Sequence, residues 1–285
     1  MRGLQSRRDF LARSAVASCA LAVPAFAIDA ASDAAPGYPV VDFHTHLDNS
    51  TIDDVLRLTA ERNVKFGIVE HAGTKENKYP VVLSNDAELS AYIASLEGKP
   101  VYKGIQAEWI DWMSCFSRDV LARLDYVLTD MMTWPGADGQ RQKMWEPGLN
   151  IGDPATFMDR YVDFYVQNMA LMPIDILANV SWLPEPFAKD YDTLWTEARV
   201  GRVVETAVKF GIAIEISSGF NLPKLAWLQQ AKAAGVKFSF GSNGRYPKMG
   251  LLDHSLKMAR ELGLKEEDLF LPAPDGKKAV QRRMT

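Results

Sequence analysis

The 285-residue chain is poor in cysteine and in histidine, with two of the first and four of the second. Two cysteines cannot build a disulfide framework. There is no lysine or arginine cluster outside the extreme N-terminus, and 32 basic against 36 acidic residues leave a net charge of -4. That balance argues against a nucleic-acid surface. No apolar run is long enough to span a bilayer. Gly241, Gly244 and Gly250 mark a flexible turn but lack phosphate-loop spacing. No internal repeat or low-complexity block is evident.

The N-terminus is where charge and apolar character concentrate. "SRRDFLARSAVASCALAVPAFA" carries Arg7 and Arg8, a modest apolar stretch and Ala25-Phe26-Ala27. This resembles a twin-arginine (Tat) export signal cleaved after Ala27, and implies passage through the Tat machinery to the periplasm or outside. Val16-Ala17-Ser18-Cys19 loosely fits a lipobox, although the apolar run continues past Cys19. Without residues 1–27 the balance becomes 28 basic against 35 acidic, and Cys115 is the remaining cysteine. No stable membrane insertion is expected after cleavage. Residues 28–37, "IDAASDAAPG", read as a linker, 38–271 as the folded domain and 272–285 as a basic tail.

What is abundant is apolar sequence, 47% of the chain. Apolar runs at 40–44, 65–70, 101–109, 126–131, 174–180, 212–217 and 237–241 read as strands. Helical periodicity lies between them, near 52–62, 85–96, 117–124, 155–171, 193–210, 224–234 and 250–262. Residues 133–153 read as a turn-rich insertion. Seven βα units with nearly all-apolar strands predict a parallel sheet covered by helices. The expected architecture is a distorted (β/α)7 TIM-like barrel, with an open doubly wound sheet as the alternative.

Barrel sites gather at the C-terminal ends of strands. Those ends carry His44 and His46, Glu70 with His71, Glu108, Asp130, Asn179, and then Asn243 with Arg245. Residues i and i+2 of a strand share a face, so His44 and His46 are expected to reach one point, as two metal ligands would. Trp109, Trp112, Trp134, Trp145 and Trp182 follow strands three to five and are expected either to wall a ligand site or to pack the loops together.

On "DFHTHLD", "FGIVEHAG", "GIQAEW", "GIAIEISSG" and "VKFSFGSNGRYPKMG", the stretch 38–271 resembles the polymerase and histidinol phosphatase (PHP) superfamily. That resemblance implies a PHP-type seven-stranded barrel holding metal ions and hydrolysing phosphoesters. It implies His44, His46, His71 and Glu108 as ligands, with Asn243 completing the shell. Met132, Asn179, Asn243 and Arg245 stand where further metal ligands of the superfamily are expected, so the implied centre is reduced to one Zn, Mn or Fe ion, or none.

The resemblance therefore implies an exported metal-dependent hydrolase, with Glu70 and Asp130 moving protons and Arg245 holding an anion. The alternative is a non-catalytic ligand-binding pseudoenzyme of the same fold. A third reading is an interaction module that uses the tryptophan face. The expected partner is a small molecule of anionic character, contacted by Trp109, Trp134, Asn179, Trp182 and Arg245.

Overall fold

A computed structural model describes residues 37–284, apart from 49, 137, 138, 148 and 150. The expected export signal, its expected cleavage site and all but the last residue of the expected linker lie outside the described residues. No described helix is long and apolar enough to cross a membrane.

Ten strands run in chain order: β1 (Val41–Thr45), β2 (Lys65–Ala72), β3 (Val82–Leu83), β4 (Tyr102–Ala107), β5 (Tyr126–Thr129), β6 (Thr133–Pro135), β7 (Arg141–Lys143), β8 (Ile176–Leu177), β9 (Ala213–Ser217) and β10 (Phe238–Gly241). Seven of them pair in parallel in the order β1, β10, β9, β8, β5, β4, β2, and β2 returns to β1, closing a barrel. The α/β barrel expected from the sequence is therefore observed. β3 adds to β2 outside the ring, and β6 pairs with β7 as an antiparallel hairpin inside the stretch that reads as turns.

The helices are α1 (Ile52–Arg62), α2 (Asp86–Leu96), α3 (Arg118–Leu121), α4 (Pro154–Leu171), α5 (Tyr191–Leu194), α6 (Glu197–Phe210), α7 (Leu225–Ala233), α8 (Asp253–Leu262) and α9 (Ala279–Arg283). Local chemistry sets their ends. Thr51 and Asp54 form a reciprocal capping box at α1. Pro154 opens α4 behind the Asp153 cap, and Gly211 ends α6 in the left-handed region. The C-terminal tail is docked. Val280 is buried, and Lys278 Nζ donates to the Ala122 carbonyl at 2.7 Å.

Two apolar layers follow from the two strand faces. Val41, Phe43, Val69, Tyr126, Leu128, Ile176, Ala178 and Ala213 form one cluster, the lower filling of the barrel. The larger cluster joins the outer strand faces to the helices. Inside the barrel the Tyr126 ring lies against Gly67 and Gly104. A Cβ at either glycine would come within 2.4 Å of it, so only glycine lets this ring cross the barrel. The Tyr126 hydroxyl donates to the Phe43 carbonyl at 2.8 Å. The lower half is thus packed solid, which leaves the C-terminal face as the place for chemistry.

Candidate active site at the C-terminal face of the barrel

β1 contains one residue more than β2 between matched positions, a bulge between Asp42 and Thr45. A bulge re-aims a side chain. Phe43 joins the barrel filling, and the next residue, His44, also bonds across the interior. His46 lies just beyond the end of β1, and its ring lies 5.4 Å from that of His44, so the two histidines expected to converge do sit side by side.

His44 is engaged on both nitrogens. Nδ1 lies 2.7 Å from Glu215 Oε2, and Nε2 lies 2.9 Å from Gln106 Oε1. Gln106 Nε2 in turn donates to Asp130 Oδ2 at 3.2 Å, which fixes the amide orientation and makes its oxygen face His44. Both imidazole nitrogens then face an acceptor oxygen, an arrangement that favours the imidazolium. Burial alone would lower its pKa, but the charges of Glu215 and Asp130 and its hydrogen bonds carry it above the ordinary value. Asn179 closes the circuit. Its Nδ2 donates to Asp130 Oδ2 at 3.1 Å and its backbone N–H to Glu215 Oε1 at 3.4 Å. Five strands or strand ends are tied by this ring of polar groups.

His71 has a different environment. Its Nδ1 lies 2.7 Å from Glu108 Oε1, and its Nε2 is buried without a hydrogen-bond partner. The ring is stacked between His46, at 4.6 Å and 19°, and Tyr79, at 3.6 Å and 8°. Tyr79 also donates to Glu108 Oε2 at 3.3 Å. Burial pushes His71 down to about 3 and Glu108 up to about 8. The short contact is therefore a hydrogen bond in a neutral pair rather than an ion pair, since burial disfavours both charges. Below about pH 8 the pair holds a proton it can give. Above that, Nε2 offers a lone pair while Glu108 holds Nδ1–H.

A cavity of 360 Å³ opens over these groups, lined by His71, Gln106, Asp130 and Asn179 at the strand ends, and by Tyr79, Met132, Trp145, Trp182, Phe220, Asn243 and Arg245 from the loops. Burial, followed by the charge of Glu108, raises Asp130 to about 6. Arg245 is fixed by three hydrogen bonds, Nε to Asp48 Oδ2 at 2.9 Å, and Nη1 to Asn243 Oδ1 at 2.9 Å and to the Asn243 carbonyl at 3.1 Å. Asp48, Trp109, Asn179, Ser181, Asn221 and Asn243 all have positive φ in the loops of this face. Backbone held in sparsely populated conformations tends to collect at functional sites.

Of the residues expected from the sequence, the structure brings His71, Asp130, Trp145, Asn179, Trp182, Asn243 and Arg245 to this cavity. His44, His46 and Glu108 are buried near it without lining it, and so is Glu70, whose Oε1 accepts the Leu47 N–H at 3.2 Å. Trp109 and Trp134 pack loops. Arg141 lies 5.5 Å over the Trp109 ring, and Trp134 is buried against Phe157. Tyr79, Gln106 and Phe220 were missed. Gln106 had a legible signal, because it continues the inward alternation of Tyr102 and Gly104 with a polar side chain. Tyr79 and Phe220 sit in loops, where no period marks a face.

The expected ligand set does not fit a metal as it is arranged. His44 has no free lone pair, Asn243 Oδ1 is taken by Arg245, and Glu108 faces His71 and Tyr79. Among the described residues no group of three or more His, Cys, Asp or Glu side chains is placed to hold an ion. His46 is buried with neither nitrogen in a hydrogen bond of ordinary geometry, and its partner by contact is the flat face of His71.

No family model matches the chain, and no curated protein does. Among solved structures, an HpcH/HpaI aldolase from Desulfitobacterium hafniense DCB-2 is similar at 13% identity, covering 84% of this chain and 96% of that chain, with a TM-score of 0.34. At that distance the likeness carries no statement about activity. The resemblance to the PHP superfamily finds no support, since no family model matches the chain, and it is withdrawn. The phosphoester hydrolase it implied, and the pseudoenzyme of that fold, are withdrawn with it.

Proposed function

We propose that the C-terminal face of the barrel is an active site for proton transfer on a small anionic molecule. The observation that carries this reading is His71, held on Nδ1 by Glu108 at 2.7 Å with Nε2 unpartnered at the cavity it lines. A carboxylate that orients an imidazole and leaves its other nitrogen free is the arrangement a general base requires. Stacking on both ring faces removes the reorganisation that would otherwise blunt it.

The other groups take complementary parts. Arg245 supplies the fixed positive charge for a carboxylate or phosphate. Asp130, from the end of a different strand, is the second group able to carry a proton near neutral pH. The ring of His44, Gln106, Asn179 and Glu215 sets the position of Asp130 and does not itself line the cavity on the His44 and Glu215 side.

The test is hydrogen exchange with solvent. Small carboxylates bearing a carbonyl or hydroxyl next to the reacting carbon are incubated with the full chain in D₂O and followed by proton NMR. Exchange that rises with pH through about 8 and is lost in His71→Asn supports the reading. Exchange that survives in His71→Asn, or is absent with every bound carboxylate, overturns it.

A further inference from the structure

The cavity is polar on one side and aromatic on the other. His71, Gln106, Asp130 and Asn179 form the polar side. Trp182 and Phe220 meet edge to face at 6.4 Å and 66° to form the aromatic side. Phe220 is 36% and Trp145 43% exposed, so two of the large apolar side chains left facing solvent among the described residues stand at this one cavity. Exposed rings gathered at a concave site signal a ligand rather than ordinary surface. Lys143 lies 5.5 Å from the Trp145 ring and 4.8 Å from the Tyr79 ring, which adds a cation beside two of the lining rings.

We infer that the ligand is a carboxylate with a flat, single-ring aromatic body. Its carboxylate rests on Arg245 and its ring on Trp182 and Phe220. The cavity volume of 360 Å³ lies near the small end of ligand sites, which run from roughly 300 to 1,000 Å³, and so suits one ring rather than a fused system. A saturated ring of the same size buries similar area against these walls but lacks the edge-to-face attraction that an aromatic ring gains with them. A neutral sugar finds stacking surface but no use for Arg245. This inference rests on the proposed function only in taking the same cavity as the site; it adds the class of molecule.

Calorimetric titration of the full chain separates the two. The probes are benzoate and phenylacetate, their cyclohexyl counterparts, benzyl alcohol and glucose. The expected result is that the aromatic carboxylates bind about fivefold or more tighter than the cyclohexyl ones, with benzyl alcohol and glucose weaker still. Trp182→Leu and Phe220→Leu should bring the aromatic-to-cyclohexyl ratio near one while carboxylates still bind. Arg245→Met should erase the preference for carboxylate over alcohol. Equal binding of aromatic and saturated carboxylates, binding of glucose as tight as benzoate, or no binding of any probe overturns the inference. If aromatic carboxylates bind selectively but no carboxylate exchanges protons, the proton-transfer reading fails alone. If exchange is seen with no aromatic preference, the ligand class fails alone.

Discussion

Glu70→Gln should stabilise the protein, and by an amount that depends on pH. Glu70 is buried on β2, with Oε1 bonded to the Leu47 N–H and Oε2 without a partner. Burial, and then the nearby Asp48 charge, raises its pKa from 4.5 to about 7. A carboxylate whose folded pKa is raised contributes stability that is fully present below the unfolded pKa and is lost as pH rises through the folded one. At about 1.36 kcal/mol per pKa unit, the rise from 4.5 to about 7 corresponds to a cost of about 3 kcal/mol above pH 7. Glutamine removes the charge and offers an N–H₂ where Oε2 is now unsatisfied. Urea melts of both proteins at pH 5 and pH 8 give the two stabilities. The benefit at pH 8 should exceed that at pH 5 by roughly 2 kcal/mol. An equal effect at both values, or destabilisation at pH 8, would mean that Glu70 is not a strained charge.

Two other substitutions probe the frame that holds the site. Gly67→Ala places a methyl 2.4 Å from the Tyr126 hydroxyl and should cost about 1–3 kcal/mol in a denaturant melt. Tyr126→Phe in the same chain should recover part of that cost, and no recovery would show that the Phe43 contact governs instead. His44→Leu and Glu215→Leu should each cost about 3–5 kcal/mol, because each leaves the other buried without its charge partner. The double variant should cost clearly less than the two together, whereas plain additivity would refute the pairing.

Much of the barrel was legible because burial writes itself into strand and helix periods. α1 spans 52–62, the range read from the sequence, and six of the seven expected strands match within a few residues at either end. The fifth, read as 174–180, keeps only Ile176 and Leu177 as strand; Ala178 still packs in the barrel filling, and Asn179, at positive φ, gives its side chain to Asp130. The β6–β7 hairpin escaped because its strands are three residues long and polar at Arg141 and Lys143. The bulge in β1 had no sequence mark, and neither had the contact of His44 with Glu215. His71 and Arg245 were legible as strand-end residues. Their roles were not, because partners such as Tyr79 and Asp48 come from loops.

His44 and His71 differ in protonation at the same pH, and nitrogen-15 NMR of the histidine side chains reads both at once. The chain has only four histidines, each assignable by one substitution. At pH 6 His44 should show two protonated nitrogens, and His71 should be neutral, with its signals changing when benzoate is added. A neutral His44 with a protonated His71 at that pH, or a His71 that ignores every carboxylate, would contradict the assignment of His71 as the proton carrier of the site.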